Sequence, residues 1–145
     1  KAALALAAGA DQVIDYKTEA VAERVRELTG GQGVDRVIEL DVAVNGAMDL
    51  GLLRSGGELV AYGSSPKPLD LPFPLLLAQN IQLKFFMVYH LDAGDRARAT
   101  QALQRLLARG ELQHQIAARM ALDDIVQAHE AVEGGRLIGN LVLKA

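Results

Sequence analysis

The groups most able to do chemistry are few and scattered. His90, His114 and His129 are the only imidazoles in 145 residues, far apart in sequence and with no carboxylate at metal-ligand spacing. No HExxH pair occurs, and there is no GxSxG elbow to support an activated serine. His129 stands beside Glu130 and reads as a packed or capping histidine. Gly30-Gly31-Gln32-Gly33 has the look of a phosphate loop. It follows a helix and precedes a strand, the reverse of the order a phosphate loop needs, so it reads as a helix stop and turn.

The better chemical signal is positional. In a sheet built from alternating strands and helices, ligands lie beyond the carboxyl ends of the strands. Four such ends can be located: Asp15-Tyr16-Lys17, Leu40 to Asn45, Tyr62 to Ser65, and Phe85 to Val88. Together they offer a cation, two phenols, an amide, hydroxyls and glycine. The small residues Gly63-Ser64-Ser65 let a ligand approach the backbone. A flat ring could lie here, with backbone groups of Phe85 to Met87 meeting a carboxamide. By residue chemistry alone the set is either a binding crevice or an ordinary group of strand-to-helix turns.

The elements that would position these groups follow from pattern. Lys1 to Ala8 is rich in alanine and leucine and reads as helix, stopped at Gly9. Gln12 to Tyr16 reads as a short strand. Thr18 is expected to cap a helix over Glu19 to Leu28, with Val21, Val25 and Leu28 on its apolar face. Val34 to Leu40 is a strand, Asn45 to Leu53 a helix, Glu58 to Tyr62 a strand. All four prolines fall between Pro66 and Pro74 and mark an extended loop. A short helix over Leu75 to Gln79 leads to a strand over Gln82 to Val88. The expected class is α/β, a mostly parallel doubly wound sheet with helices on both faces. The last third differs: a helix from Asp95 to Ala108 with Leu103, Leu106 and Leu107 inward, then a strand over Ile116 to Met120. A helix capped by Asp123 follows, bearing Ile125, Val126, His129 and Val132, and a strand over Asn140 to Leu143 closes the chain. A change of unit is expected near residue 93, giving 1–92 and 93–145.

Composition bounds the partners. Half the residues are hydrophobic and 23% are charged, enough apolar content for a core. A net charge of −3 without a basic run gives no footprint for nucleic acid. No apolar run approaches the roughly 18 residues of a membrane span. The absence of cysteine removes disulfides and thiolate metal sites and fits a cytoplasmic protein. The chain does not start with methionine and reads as a processed, trimmed or designed piece.

The stretches AGADQVIDYKTE, VRELTGGQGVDRVIEL, VAVN, LLRSGGELVAYGSS, LKFFMV and DDIVQAHEAVEGGRLIGNLVL, in that order, span nearly the whole chain. They resemble the medium-chain dehydrogenase/reductase superfamily, most closely the zinc-independent NADPH:quinone oxidoreductases of the zeta-crystallin type. The resemblance implies a partial Rossmann-like sheet (strands 3 to 6 of a cofactor domain) followed by the return to a GroES-like catalytic domain. The glycine-rich pyrophosphate loop and the first two strands of that fold would precede Lys1. The isolated fragment is therefore expected to be inactive.

Residue by residue, the resemblance puts Lys1 against an adenosine 2′-phosphate and Tyr16 beside the same ribose. It puts Asn45 and the turn Tyr62, Gly63, Ser64 and Ser65 along the dinucleotide, and Phe85, Phe86 and Met87 at the nicotinamide carboxamide. The implied activity is hydride transfer from NADPH (NADH not excluded) to a quinone or other electron-poor enone, with no metal. Other readings are a non-catalytic scaffold or dimerisation module, a zinc-type alcohol dehydrogenase, or an enoyl reductase. Leu83 to Val88 is the implied strand of a homodimer. Two departures bear on NADPH selectivity. Asn140 follows Gly139 where a lysine is usual, with Arg136 nearby as a substitute cation. Asp41 puts a carboxylate near the cofactor channel, where it would repel phosphate unless it points away.

Overall fold

The computed structural model describes residues 1–145. In chain order the elements are α1 (Ala2–Ala7), α2 (Val21–Leu28), β1 (Val34–Glu39), α3 (Val42–Leu52), β2 (Leu53–Ala61), α4 (Phe73–Gln79), β3 (Gln82–Phe85), α5 (Ala93–Ala108), β4 (Ile116–Ala121), α6 (Ile125–Glu133) and β5 (Asn140–Lys144). They fall into two compact units, Ile14–Arg98 and Lys1–Val13 with Ala99–Ala145.

The unit Ile14–Arg98 is built on a three-stranded parallel sheet in the order β1-β2-β3. Alternation along the strands sorts their side chains between two faces. Val37, Leu59 and Leu83 are register partners across the sheet, and Glu39, Ala61 and Phe85 form the next row on the same side. Against this side α3 presents the helical stripe Val42, Gly46, Asp49 and Leu50. Leu50 and Leu59 are fully buried and form the centre of a core with Val42, Leu53 and Ala61. Leu69 from the proline-rich loop and Leu76 from α4 close over it. The opposite side carries Arg36, Glu58 and Lys84 as an ion-pair ladder across all three strands. Ile38 on that side is largely exposed. The expected α/β class holds, with the α3 and α4 layer on one face of this sheet.

Several boundaries differ from the sequence expectation. Gln12 to Tyr16 forms no strand. An extended segment needs a hydrogen-bonded neighbour, and the strand order implied for it places two other strands between it and β1. Thr18 is not a helix cap: α2 starts at Val21 after Ala20, and the Thr18 hydroxyl instead reaches back to the Asp15 carbonyl. Helix α3 begins three residues earlier than expected. Strand β2 begins at Leu53 because Leu53 already pairs with Val34, so Ser55-Gly56-Gly57 is a bulge within the strand and not a loop before it. Strand β3 ends at Phe85, and Val88–His90 turns as a short 3-10 helix. The glycine run does stop α2: Gly30, Gly31 and Gly33 all have positive φ, and the Gly31 N–H closes back on the Arg26 carbonyl.

In the other unit β4 and β5 pair in parallel, and α6 packs on both through Ala128, its one buried residue. Leu103 and Leu107 on α5, expected to face inward, are largely exposed, as are Val126 and Val132 on α6. A two-stranded sheet is too small to cover two amphipathic helices. Leu122–Asp124 forms a 3-10 turn, so Asp123 lies in that turn and Asp124 is the residue preceding α6.

The contrast between the two sides of the three-stranded sheet is measurable. Leu50→Ala, at the fully buried centre, is expected to cost about 2–5 kcal/mol in urea unfolding. Ile38→Ala, on the open side, should change stability by about 0.5 kcal/mol or less. Equal effects would contradict the one-sided core.

Candidate functional site

Parallel register brings the carboxyl ends of β1, β2 and β3 level with one another, and the chain continues the pairing slightly past each end. The Tyr62 N–H donates to the Glu39 carbonyl at 3.0 Å and the Phe86 N–H to the Ala61 carbonyl at 3.2 Å. The Val42 N–H donates to the Gly63 carbonyl at 3.3 Å, tying the start of α3 to the turn after β2. A Cβ on Gly63 would overlap the Leu40 carbonyl, so only glycine allows this approach.

Beyond these ends lies a cleft of about 330 Å³ lined by Val42, Ala61, Tyr62, Gly63, Ser64, Phe85, Phe86 and Met87. The Tyr62 and Phe86 rings are tilted at 32° with centroids 6.0 Å apart. Phe85, Phe86 and Met87 are substantially exposed and present an apolar wall. A larger hollow of about 490 Å³ lies at the amino ends of the strands, around Gly31, Gly33 and Arg54. Several of its polar groups are already engaged: the Gly33 N–H by the Thr29 hydroxyl, and Arg54 by Asp35 and the Ser55 carbonyl. The carboxyl-end cleft is the better candidate because its exposed surface is aromatic and sits where the fold places ligands.

Of the residues singled out by sequence, the structure brings Tyr62, Gly63, Ser64, Phe85, Phe86 and Met87 together around the cleft. Asn45 and Ser65 adjoin it, but each has a structural partner. The Asn45 amide donates to Glu39 Oε1 at 3.1 Å. The Ser65 N–H and hydroxyl both donate to Asp41, at 2.7 and 2.5 Å. Tyr16 is exposed in a turn and does not line the cleft. Lys1 is exposed at the start of α1, in the other compact unit.

Four carboxylates in this unit have distinct environments. The Ser65 hydroxyl and then its N–H hold Asp41 below the usual aspartate range, so it stays ionised with both oxygens turned to the 63–65 turn. Glu58 is held low by Lys84 and then Arg36. Burial opposes ionisation of Glu39, yet hydrogen bonds from the Asp41 N–H, the Asn45 amide, Asp49 and the Leu40 N–H outweigh it and hold Glu39 low. Asp49 is pushed up to about 7, first by burial and then by Glu39. The Glu39–Asp49 pair went unnoticed in the sequence. An aspartate within the apolar run VNGAMDLGLL, one helical turn after Asn45, was the available signal.

Residues 8–143 match the zinc-binding dehydrogenase family, to which this chain belongs. It is 32% identical to a quinone oxidoreductase of Salmonella typhimurium over 99% of this chain and 46% of that protein. It is 28% identical to a 2-haloacrylate reductase of a Burkholderia species, over 99% of this chain and 44% of the relative. Among solved structures, a mycobacterial quinone oxidoreductase superposes with a TM-score of 0.84 at 29% identity, over 99% of this chain and 46% of that one. A mycobacterial protein solved in complex with NADPH gives 0.79 at 29% identity, over 100% and 47%. The chain thus spans less than half the length of these relatives. The fold is the corresponding portion of the family's Rossmann-like cofactor domain, and the family is one of oxidoreductases. Although the family name refers to zinc, no three of the His, Asp and Glu residues here are grouped to hold a metal ion.

The Asp41–Ser65 contact has a titration signature. A carboxyl lowered in the folded state contributes stability that is present above its unfolded value, 3.8, and is lost as pH falls through the folded value. Ser65→Ala removes the leading cause. The Asp41 carboxyl, followed by carbon-detected NMR, is expected to titrate higher in that variant. An unchanged titration would show that Ser65 does not hold it.

Proposed function

We propose that the full protein is an NADPH-dependent reductase of quinones or other electron-poor enones, and that the carboxyl-end cleft receives the nicotinamide half of the cofactor. The observation that carries this reading is the cleft itself. An apolar, aromatic wall meets close-packed backbone at the carboxyl edge of a parallel sheet, in a chain whose family relatives include quinone oxidoreductases. Tyr62, Phe86 and Met87 offer faces for a flat ring, and the backbone of Phe85 to Met87 offers partners for its carboxamide. Ser64 and Asn45 lie toward the ribose. Lys1 and Tyr16 are proposed for the 2′-phosphate of the full protein. Residues 93–145 are proposed as the segment returning to the catalytic domain.

The cofactor supplies the hydride chemistry. The protein's share is to hold ring and acceptor together and to exclude water. The cleft-lining side chains include no carboxyl, imidazole or amine, which suits an acceptor that takes hydride directly and a proton from elsewhere. In the full-length protein, NADPH should be oxidised in the presence of benzoquinone and not with a simple aldehyde. Phe86→Ala should raise KM for NADPH about tenfold, the equivalent of about 1.4 kcal/mol. Turnover of aldehyde alone would favour the alcohol dehydrogenase reading.

The β3 edge supports a homodimer as partner. Strand β3 is paired only on its β2 side. Its other edge, Gln82–Phe85, is open to strand addition by a second copy, and the exposed apolar residues at and after its end, Phe85, Phe86, Met87, Val88 and Tyr89, are a surface that the same copy could cover. Leu83 packs on the core, so the clean test lies further along. Val88→Asp is expected to convert a dimer to monomer in sedimentation velocity, and an unchanged sedimentation coefficient would count against this edge.

A further inference from the structure

Glu39 at the end of β1, in the same row as the cleft-lining Ala61, and Asp49 in the second turn of α3 face each other inside the unit. Their carboxyls are in hydrogen-bonding contact. Asp49 is 4% exposed, and its Oδ2 is buried with no hydrogen-bond partner. Two carboxylates cannot hydrogen-bond to each other unless one carries a proton, and a buried ionised oxygen without a donor is costly. Glu39 is the partner that donors already serve: the Asp41 N–H and the Asn45 amide both point to its Oε1. The proton therefore belongs on Asp49.

We propose that Asp49 is a positioning residue for the cleft: as a neutral acid it donates to Glu39, and Glu39 in turn holds the Asn45 amide and the Asp41 N–H at the first turn of α3. The positioning role rests on the dinucleotide reading of the cleft; the shared proton does not. Helix α3 packs against α2, β1 and β2. The ionisable groups on those elements are Glu23, Arg24, Arg26 and Glu27 on α2, Asp35, Arg36 and Glu39 on β1, and Arg54 and Glu58 on β2. Of these, only Glu39 acts on Asp49. α3 contains no other ionisable side chain. No cation is among the groups that act on Asp49, although Lys67 of the proline-rich loop, whose Leu69 packs against Gly46, acts on the neighbouring Asp41. Losing the shared proton would set two carboxylates against each other and release the Asn45 anchor, so the device is sensitive to pH near neutrality.

The test is a fluorescence titration of NADPH into the full-length protein from about pH 5.5 to about pH 9, with an infrared difference spectrum as a second readout. In the wild type, affinity should hold below about pH 7 and then weaken, at the limit about tenfold per pH unit, as Asp49 ionises. The protonated-acid carbonyl band should disappear over the same range. Asp49→Asn keeps a donor toward Glu39 without a titratable proton, so affinity should be retained and this step should vanish with its band. Glu39→Gln, which donates toward an ionised Asp49, should also remove the step near neutrality. An Asp49→Asn profile that matches the wild type, or a wild type without the acid band, overturns the inference. A wild type that shows the band yet binds neither NADPH nor NADH at any pH overturns the dinucleotide reading and supports the shared proton.

Discussion

Strand β2 hydrogen-bonds to β1 on one side and β3 on the other, and every feature of the cleft depends on that double pairing. Parallel register makes Glu39, Ala61 and Phe85 one row. The chain therefore leaves the sheet at the same level three times, and the residues after each strand converge, where the Asp41–Ser65 hydrogen bonds and the Tyr62–Phe86 ring pair join them. The buried pair Leu50 and Leu59 locks α3 onto this arrangement. Burial of two leucine side chains contributes on the order of 3–6 kcal/mol, far more than any exposed ion pair in the unit. The Arg36–Glu58–Lys84 ladder on the other side fits a supporting role: it ties the three strands in register but lies at a partly exposed surface, where such pairs contribute little.

Charge is arranged by depth around this core. Glu58 on the open side meets two cations and stays ionised. Asp41 at the rim meets Ser65 and stays ionised. Asp49 lies inward beside Glu39, no cation is among the groups acting on either, and their repulsion is relieved when one of them is neutral. The same carboxyl group thus behaves in three ways within one unit, and the difference is set by which donor the fold brings near.

Much of the sheet was legible in the sequence because its signals are local. VDRVIEL and ELVAY are rich in β-branched and apolar residues and are bounded by glycines that mark the turns. The cleft residues were legible because their position follows from topology: once strand ends are located, Tyr62 to Ser65 and Phe85 to Met87 must lie together. What was not legible depends on partners distant in sequence. Gln12 to Tyr16 has strand composition but no neighbour to pair with. Leu103 and Leu107 form a good apolar stripe with too small a sheet to cover it. Asp41 finds Ser65 across 24 residues, and Asp49 finds Glu39 across a strand-to-helix turn. Both are contacts that neither periodicity nor propensity encodes.

Asp41 also limits what can occupy the neighbouring part of the cleft. Hydrogen bonds from Ser65 satisfy its oxygens but leave its net charge intact, and its lowered titration keeps that charge across the physiological range. A pyrophosphate placed against it would face a like charge at the rim, weakened by solvent but not neutralised. A ribose hydroxyl can donate to such a carboxylate, and an oxidised nicotinamide ring is attracted to it. Under the dinucleotide reading the group beside Asp41 is therefore sugar or ring and not phosphate, which agrees with the aromatic wall of Tyr62 and Phe86 standing next to it. The carboxylate that looked like an obstacle to cofactor binding becomes a constraint on which way round the cofactor lies.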